Sequence, residues 1–156
     1  MRPIEVSTEA PLSPGEVWDF MWGDGGPPRF LADMHDLGYW RDVTKVEDYE
    51  VRPDGMPRYR MTRQFGRLPP VSMATEYDEF ERPHRAVNHA LNTPLRGDFI
   101  AELEPTGQGT RITWRWEVAS ANPVINTSLP LLRPFLARSL QRNLDEYARA
   151  ATHKRT

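Results

Sequence analysis

Apolar positions along this chain recur first every second residue, then at helical spacing, then every second residue again, and finally at helical spacing. In residues 2–9, Ile4 and Val6 alternate with polar neighbours, the pattern of a short strand. Ser13-Pro14-Gly15-Glu16 then predicts a helix start. Ser13 can cap, Glu16 can close a capping box and Pro14 suits the first helical position. Val17, Phe20 and Met21 share one face of that helix, with Trp18 and Trp22 on a neighbouring one, and Gly23, Gly25 and Gly26 end it. Pro27-Pro28 opens a second short helix with Phe30, Leu31 and Met34 inward. From Tyr39 to about Trp116 the period is two, and six strands are predicted near 39–51, 57–65, 70–80, 84–91, 96–104 and 110–119. After Asn122-Pro123, Ile125, Leu129, Leu132, Phe135, Leu136, Leu140, Leu144, Tyr147 and Ala151 recur at helical spacing. Pro130 and Pro134 predict a late start or a kink in the first turns, with a clean helix from Phe135 to Ala151 and a frayed tail from about 152.

Short, turn-rich links such as Pro53-Asp54-Gly55 and Thr106-Gly107-Gln108-Gly109 require antiparallel pairing. The final helix alone is long enough to cover one face of a seven-stranded sheet. A sheet curled round a single helix leaves room beside it, so an internal cavity is expected. Composition agrees: 38% hydrophobic residues and a mean hydropathy of -0.66 suit a thin core. The 156 residues fit one domain, 1–156. With no cysteine, disulfide frameworks, thiolate nucleophiles and Cys-based zinc sites are excluded. Lys+Arg 20 against Asp+Glu 22 leaves a net charge of -2, which argues against a nucleic-acid partner. The opening MRPIEVSTEAPLSP lacks an apolar h-region and no apolar run reaches a membrane span of about 18 residues, so a soluble, cytoplasmic protein with no membrane partner is expected.

Val6-Ser7-Thr8-Glu9-Ala10-Pro11 with Glu16-Val17-Trp18, the run Glu104-Pro105-Thr106-Gly107-Gln108-Gly109-Thr110-Arg111-Ile112-Thr113-Trp114, and the stretch Leu131 to Ala151 resemble the START-like (SRPBCC, helix-grip) superfamily, which shares the birch-pollen allergen fold. Within it the chain most resembles the bacterial polyketide cyclase/dehydrase-like group. The resemblance implies an α+β helix-grip fold: a curved seven-stranded antiparallel sheet, two short helices after the first strand, and a long C-terminal helix enclosing a cavity. It implies a small hydrophobic ligand, polyketide-like or aromatic, and either its cyclisation or dehydration (a lyase) or its carriage, sensing or sequestration. Gly23-Asp24-Gly25-Gly26-Pro27-Pro28 departs from the second-helix region of such enzymes. A lipocalin meander is the rival fold, but it lacks the two early helices. A protein–protein module with a filled interior is the third functional class.

Strand parity nominates the chemistry. Tyr59, Met61 and Phe65 put Arg63 on the inward face, where a guanidinium needs a carboxylate or an anionic ligand group; at the rim it would instead snorkel outward. Met73, Thr75 and Tyr77 share an inward phase, and Tyr77 could donate to a ligand carbonyl or simply sit in the core. Val87 and Leu91 bracket His89 and predict an inward imidazole, suited to proton transfer at an enolisable carbon or else a core histidine. His89, Tyr77 and Arg63 are thus the candidate catalytic residues. Trp40 at a cavity mouth, Tyr59, Met61, Met73, Phe99, Trp114 and Trp116 are the candidate ligand wall, the two last equally suited to packing on the final helix. Gly23–Gly26 follows a helix and is no phosphate loop, and Asp33, His35 and Asp36 make a poor metal set. No metal or cofactor is expected, and the protein is expected to be a monomer or homodimer.

Overall fold

The computed structural model describes residues 1–22, 43–64, 67, 69–91 and 95–155. Strand β1 (Ile4–Ala10) precedes helix α1 (Pro14–Trp22), and eight further strands follow: β2 (Val43–Val51), β3 (Pro57–Arg63), β4 (Val71–Glu81), β5 (Arg85–Leu91), β6 (Leu95–Arg96), β7 (Asp98–Thr106), β8 (Gly109–Trp116) and β9 (Ala119–Ser120). Helix α2 (Pro123–Arg155) comes last. Seven strands form one sheet in the order β1-β8-β7-β5-β4-β3-β2, every neighbour antiparallel, and β6 pairs with β9 beside it. This is the α+β helix-grip architecture. The helix expected at 27–34 and the start of the strand expected from 39 lie outside the described residues.

Local chemistry accounts for the elements. The capping box at α1 forms as the sequence predicts: the Ser13 N–H donates to Glu16 Oε2 (2.8 Å) and the Glu16 N–H to Ser13 Oγ (3.2 Å). Val17, Trp18, Met21 and Trp22 are all buried, so both tryptophans join the inward face. At α2 the Asn122 side-chain oxygen accepts the Val124 N–H (3.0 Å), and Pro123 takes the first helical position.

The expected late start of the last helix is corrected by its backbone. Helical backbone runs from Pro123 straight through Pro130 and Pro134. Each proline withholds one N–H, from the carbonyls of Asn126 and Pro130. Asn126, Pro130 and Pro134 are exposed, so water can satisfy those carbonyls. The buried side of these turns carries Leu129 instead.

α2 lies against β1, and α1 against β7 and β8. Leu144, Tyr147, Ala148 and Ala151 meet Val6, Ala10, Leu12, Ile112 and Trp114 in the main core, and Tyr147 Oη donates to the Val17 carbonyl (3.0 Å), joining the helices. A second small cluster unites Ile4, Val118 and Leu129 with Trp116 and Leu136.

Candidate functional site

The inner face of the sheet can be read as rows set by cross-strand register. Val46, Met61 and Met73 align across β2, β3 and β4, and Tyr59, Thr75 and Ala90 form the next row. Tyr77, Asn88, Phe99 and Trp116 follow, then Phe80, Ala86, Ala101 and Trp114. Alternation keeps each row on one face. The expected wall residues Tyr59, Met61, Met73, Phe99, Trp114 and Trp116 therefore share the inner face. Trp114 is fully buried against Tyr147 of α2 (ring centroids 5.7 Å) and Phe99 (5.5 Å), which makes it part of the wall against the helix. Trp116 joins the separate cluster around Ile4. Trp40 and Phe65 lie outside the described residues.

At the centre of this face three polar groups meet in an apolar surround. Trp22 Nε1–H donates to the Tyr77 hydroxyl (2.9 Å), and the Tyr59 and Tyr77 hydroxyls are 3.3 Å apart. The Asn88 side chain also reaches Tyr77. Burial pushes the Tyr59 hydroxyl well above the ordinary tyrosine pKa, and Tyr77 follows it upward although the bonds from Tyr59 and Trp22 oppose the shift. Both stay protonated near neutrality. They are hydrogen-bonding groups rather than ready proton carriers. Trp18, Trp22 and Phe80 stack around them, with Trp18 and Trp22 centroids 4.2 Å apart and Tyr77 and Phe80 5.5 Å apart.

Arg63 falls on the inward phase at the end of β3, half-buried, two residues beyond Met61. His89 does not fall where alternation predicted. Asn88 is the residue opposite inward Tyr77, so His89 faces outward, opposite Glu76 and Asp98. Its Nδ1 lies 2.8 Å from Asp78 Oδ2. The cause is steric: Tyr77, Phe80 and Phe99 fill the inner face here, leaving their β5 neighbours Ala86 and Asn88 room only to be small or polar. The bulkier phase of β5, Val87 and Leu91, is the outer one. Sequence reasoning missed Trp22 and Asn88 as partners of Tyr77. The i,i+4 tryptophan pair was the available signal for the first.

The outer face is charged. Arg111 pairs with Glu9 (3.4 Å), Arg115 with Glu5 (3.0 Å), and Arg85 with Glu79 (2.8 Å) and Glu102. A shallow hollow of about 600 Å³ over β1, β8 and β7 is walled by Glu5, Glu9, Glu102, Arg111 and Arg115, a lining that rejects apolar ligands.

With this geometry in place, a family model described as "Polyketide cyclase / dehydrase and lipid transport" matches residues 1–152. The chain belongs to this family. Solved structures similar to this family member share its fold at low identity. The protein TTHA0849 from Thermus thermophilus is 18% identical with a TM-score of 0.65, over 97% of this chain and 95% of its own. The di-domain ARO/CYC StfQ from the steffimycin biosynthetic pathway is 16% identical with a TM-score of 0.68, over 97% of this chain and 49% of its own. Ara h 8.0201 is 12% identical with a TM-score of 0.64, over 96% and 97%. No curated protein matches this family member in sequence. Among its described residues no helix is long and apolar enough to cross a membrane.

Proposed function

We propose that this domain binds a small hydrophobic molecule, polyketide-like or aromatic, on the inner face of the β2–β4 half of the sheet, and acts as a carrier, sensor or sequestering protein. One observation carries this reading. Helix α2 packs on β1 and α1 on β7 and β8, with Trp18 and Trp22 of α1 reaching Tyr77 and Phe80 of β4, while the Val46–Met61–Met73 row beyond them stays apolar and includes the half-buried Val46 and Met73. Tyr59 and Met61 form the floor, and Arg63 at the end of the same strand face supplies a cation for a carboxylate or carbonyl at one end of the ligand. Family membership agrees with a hydrophobic ligand.

Catalytic cyclisation or dehydration is the second reading. The inward phase of Arg63 favours it, as does the ARO/CYC neighbour. It would need a proton carrier other than His89, which faces outward, and Tyr77 is bonded to Trp22 and Tyr59. Titration with 1-anilinonaphthalene-8-sulfonate, a flat aromatic anion, tests the binding site. Saturable one-to-one binding weakened by Met73→Asp and Arg63→Gln is expected. Equal binding by wild type and both variants would sink the proposed location. Native mass spectrometry of protein from the producing cell separates the roles, since an unmodified bound ligand favours the carrier. Turnover of a poly-β-ketone by wild type but not by Arg63→Gln would favour the enzyme.

A further inference from the structure

Three donors of mixed type converge on the outer face, on the opposite side of the sheet from the aromatic wall. Asp78 on β4, His89 on β5 and Asp98 on β7 stand on three adjacent strands, and one ligand atom from each lies within 4.8 Å of the other two. His89 is directly opposite Asp98 in register, and a register shift between Tyr77 and Glu79 brings Asp78 beside it.

A second observation concerns charge. Along this face Glu5, Glu9, Glu76, Glu79 and Glu102 each meet an arginine. Asp78 and Asp98 meet no lysine or arginine among the described residues, and Asp78 pairs only with the imidazole. Among the described residues, two carboxylates therefore face a single ring with no other cation paired to them. An ionised carboxylate only accepts, so the 2.8 Å contact requires the proton on His89 Nδ1. Moving that proton to Nε2 turns Nδ1 into a lone-pair donor aimed at the same point as the carboxylate oxygens. Neighbouring ligands of a tetrahedral cation with bonds of about 2.0–2.2 Å stand about 3.3–3.6 Å apart, so the 2.8 Å Nδ1 to Oδ2 hydrogen bond must open by about half an ångström to admit one.

We infer that Asp78, His89 and Asp98 form a binding site for a divalent transition-metal cation of the zinc class. Imidazole selects such ions over calcium or magnesium, and the carboxylates match their charge. Three protein ligands leave further positions to water or an exogenous anion. The site is independent of the proposed ligand wall, because His89 and Tyr77 point to opposite faces. The sequence reading expected no metal. The three residues are 11 and 9 positions apart on separate strands, so no local spacing announces them.

The test is calorimetric titration of the untagged, metal-free full chain with Zn²⁺ alone, together with Cu²⁺ electron paramagnetic resonance. One equivalent should bind, and the Cu²⁺ spectrum should show coupling to a single imidazole nitrogen. His89→Gln and Asp98→Asn should each weaken Zn²⁺ binding by more than about tenfold, with far-UV circular dichroism unchanged. His84→Gln should bind as wild type. Absence of saturable one-to-one binding by the wild type would overturn the inference, as would wild-type affinity in both His89→Gln and Asp98→Asn.

Discussion

Replacing Tyr77 by Phe removes one oxygen that serves several donors at once. Trp22 Nε1–H loses its acceptor at 2.9 Å, and the Tyr59 hydroxyl loses its neighbour at 3.3 Å. Trp22 and Tyr59 are both buried, at 5% and 4% exposure, so water does not replace the lost partner. An orphaned buried donor costs about 1–3 kcal/mol. Two of them, partly relieved by relaxation, imply a loss of about 3 kcal/mol, or roughly 6–12 °C in Tm for a domain of this size. Tyr59→Phe is the control. It deletes one long hydrogen bond and leaves Tyr77 still served by Trp22 and Asn88, so about 1 kcal/mol or less is expected. Urea unfolding followed by far-UV circular dichroism measures both, free of the fluorescence change that altering a tryptophan contact brings. Equal losses in the two variants, or a loss below about 1 kcal/mol in Tyr77→Phe, would refute the assignment of Tyr77 as the shared acceptor.

The same pair makes stability sensitive to alkali. Both folded-state pKa values are raised, so the unfolded chain ionises first. Stability should therefore be intact below pH about 10 and fall above it by about 1.4 kcal/mol per pH unit for each tyrosine. Alkaline denaturation of Tyr59→Phe should show a shallower fall; an unchanged slope would contradict the burial argument. At Gly97 (φ 117°) an added Cβ would stand 1.5 Å from the Glu117 carbonyl oxygen, whereas at Gly55 (φ 84°) it would meet nothing within 4 Å. Thermal melts should show Gly97→Ala losing about 3 kcal/mol or more, and Gly55→Ala only about 1–2 kcal/mol of backbone strain; similar losses would mean that the close approach is absent. Ser13→Ala breaks the capping box and should lower stability by about 1 kcal/mol in urea titration.

Much of the architecture was legible because its signals are local. The capping box at Ser13 and the period-two runs with turn residues between them act within a few residues, and those elements appear where expected. Pro130 and Pro134 misled because proline rules describe a helix interior without saying which side meets water. His89 misled for a related reason. Alternation assigns two phases to a strand, and hydrophobicity then picks the bulkier phase as inward. On β5 the interior volume is already occupied from β4 and β7, so the small phase faces in. The Trp22–Tyr77 bond joins residues 55 positions apart and depends on where α1 lands on the sheet. No periodicity carries that information.

The strand order has a consequence for how the chain is made. β1 pairs with β8, Val6 standing opposite Trp114, and Thr110 Oγ1–H donates to the Leu12 carbonyl (2.7 Å). Hairpins such as β4–β5 and β7–β8 close over short turns and can form as they emerge from the ribosome. β1 must wait, its edge unpaired, until more than a hundred further residues have been synthesised. Closing so long a loop is entropically slow. During that interval Ile4, Val6 and Ala10 have no sheet to pack on, so the nascent N-terminal segment, rather than any part of the finished molecule, is where chaperone capture or misassociation would begin.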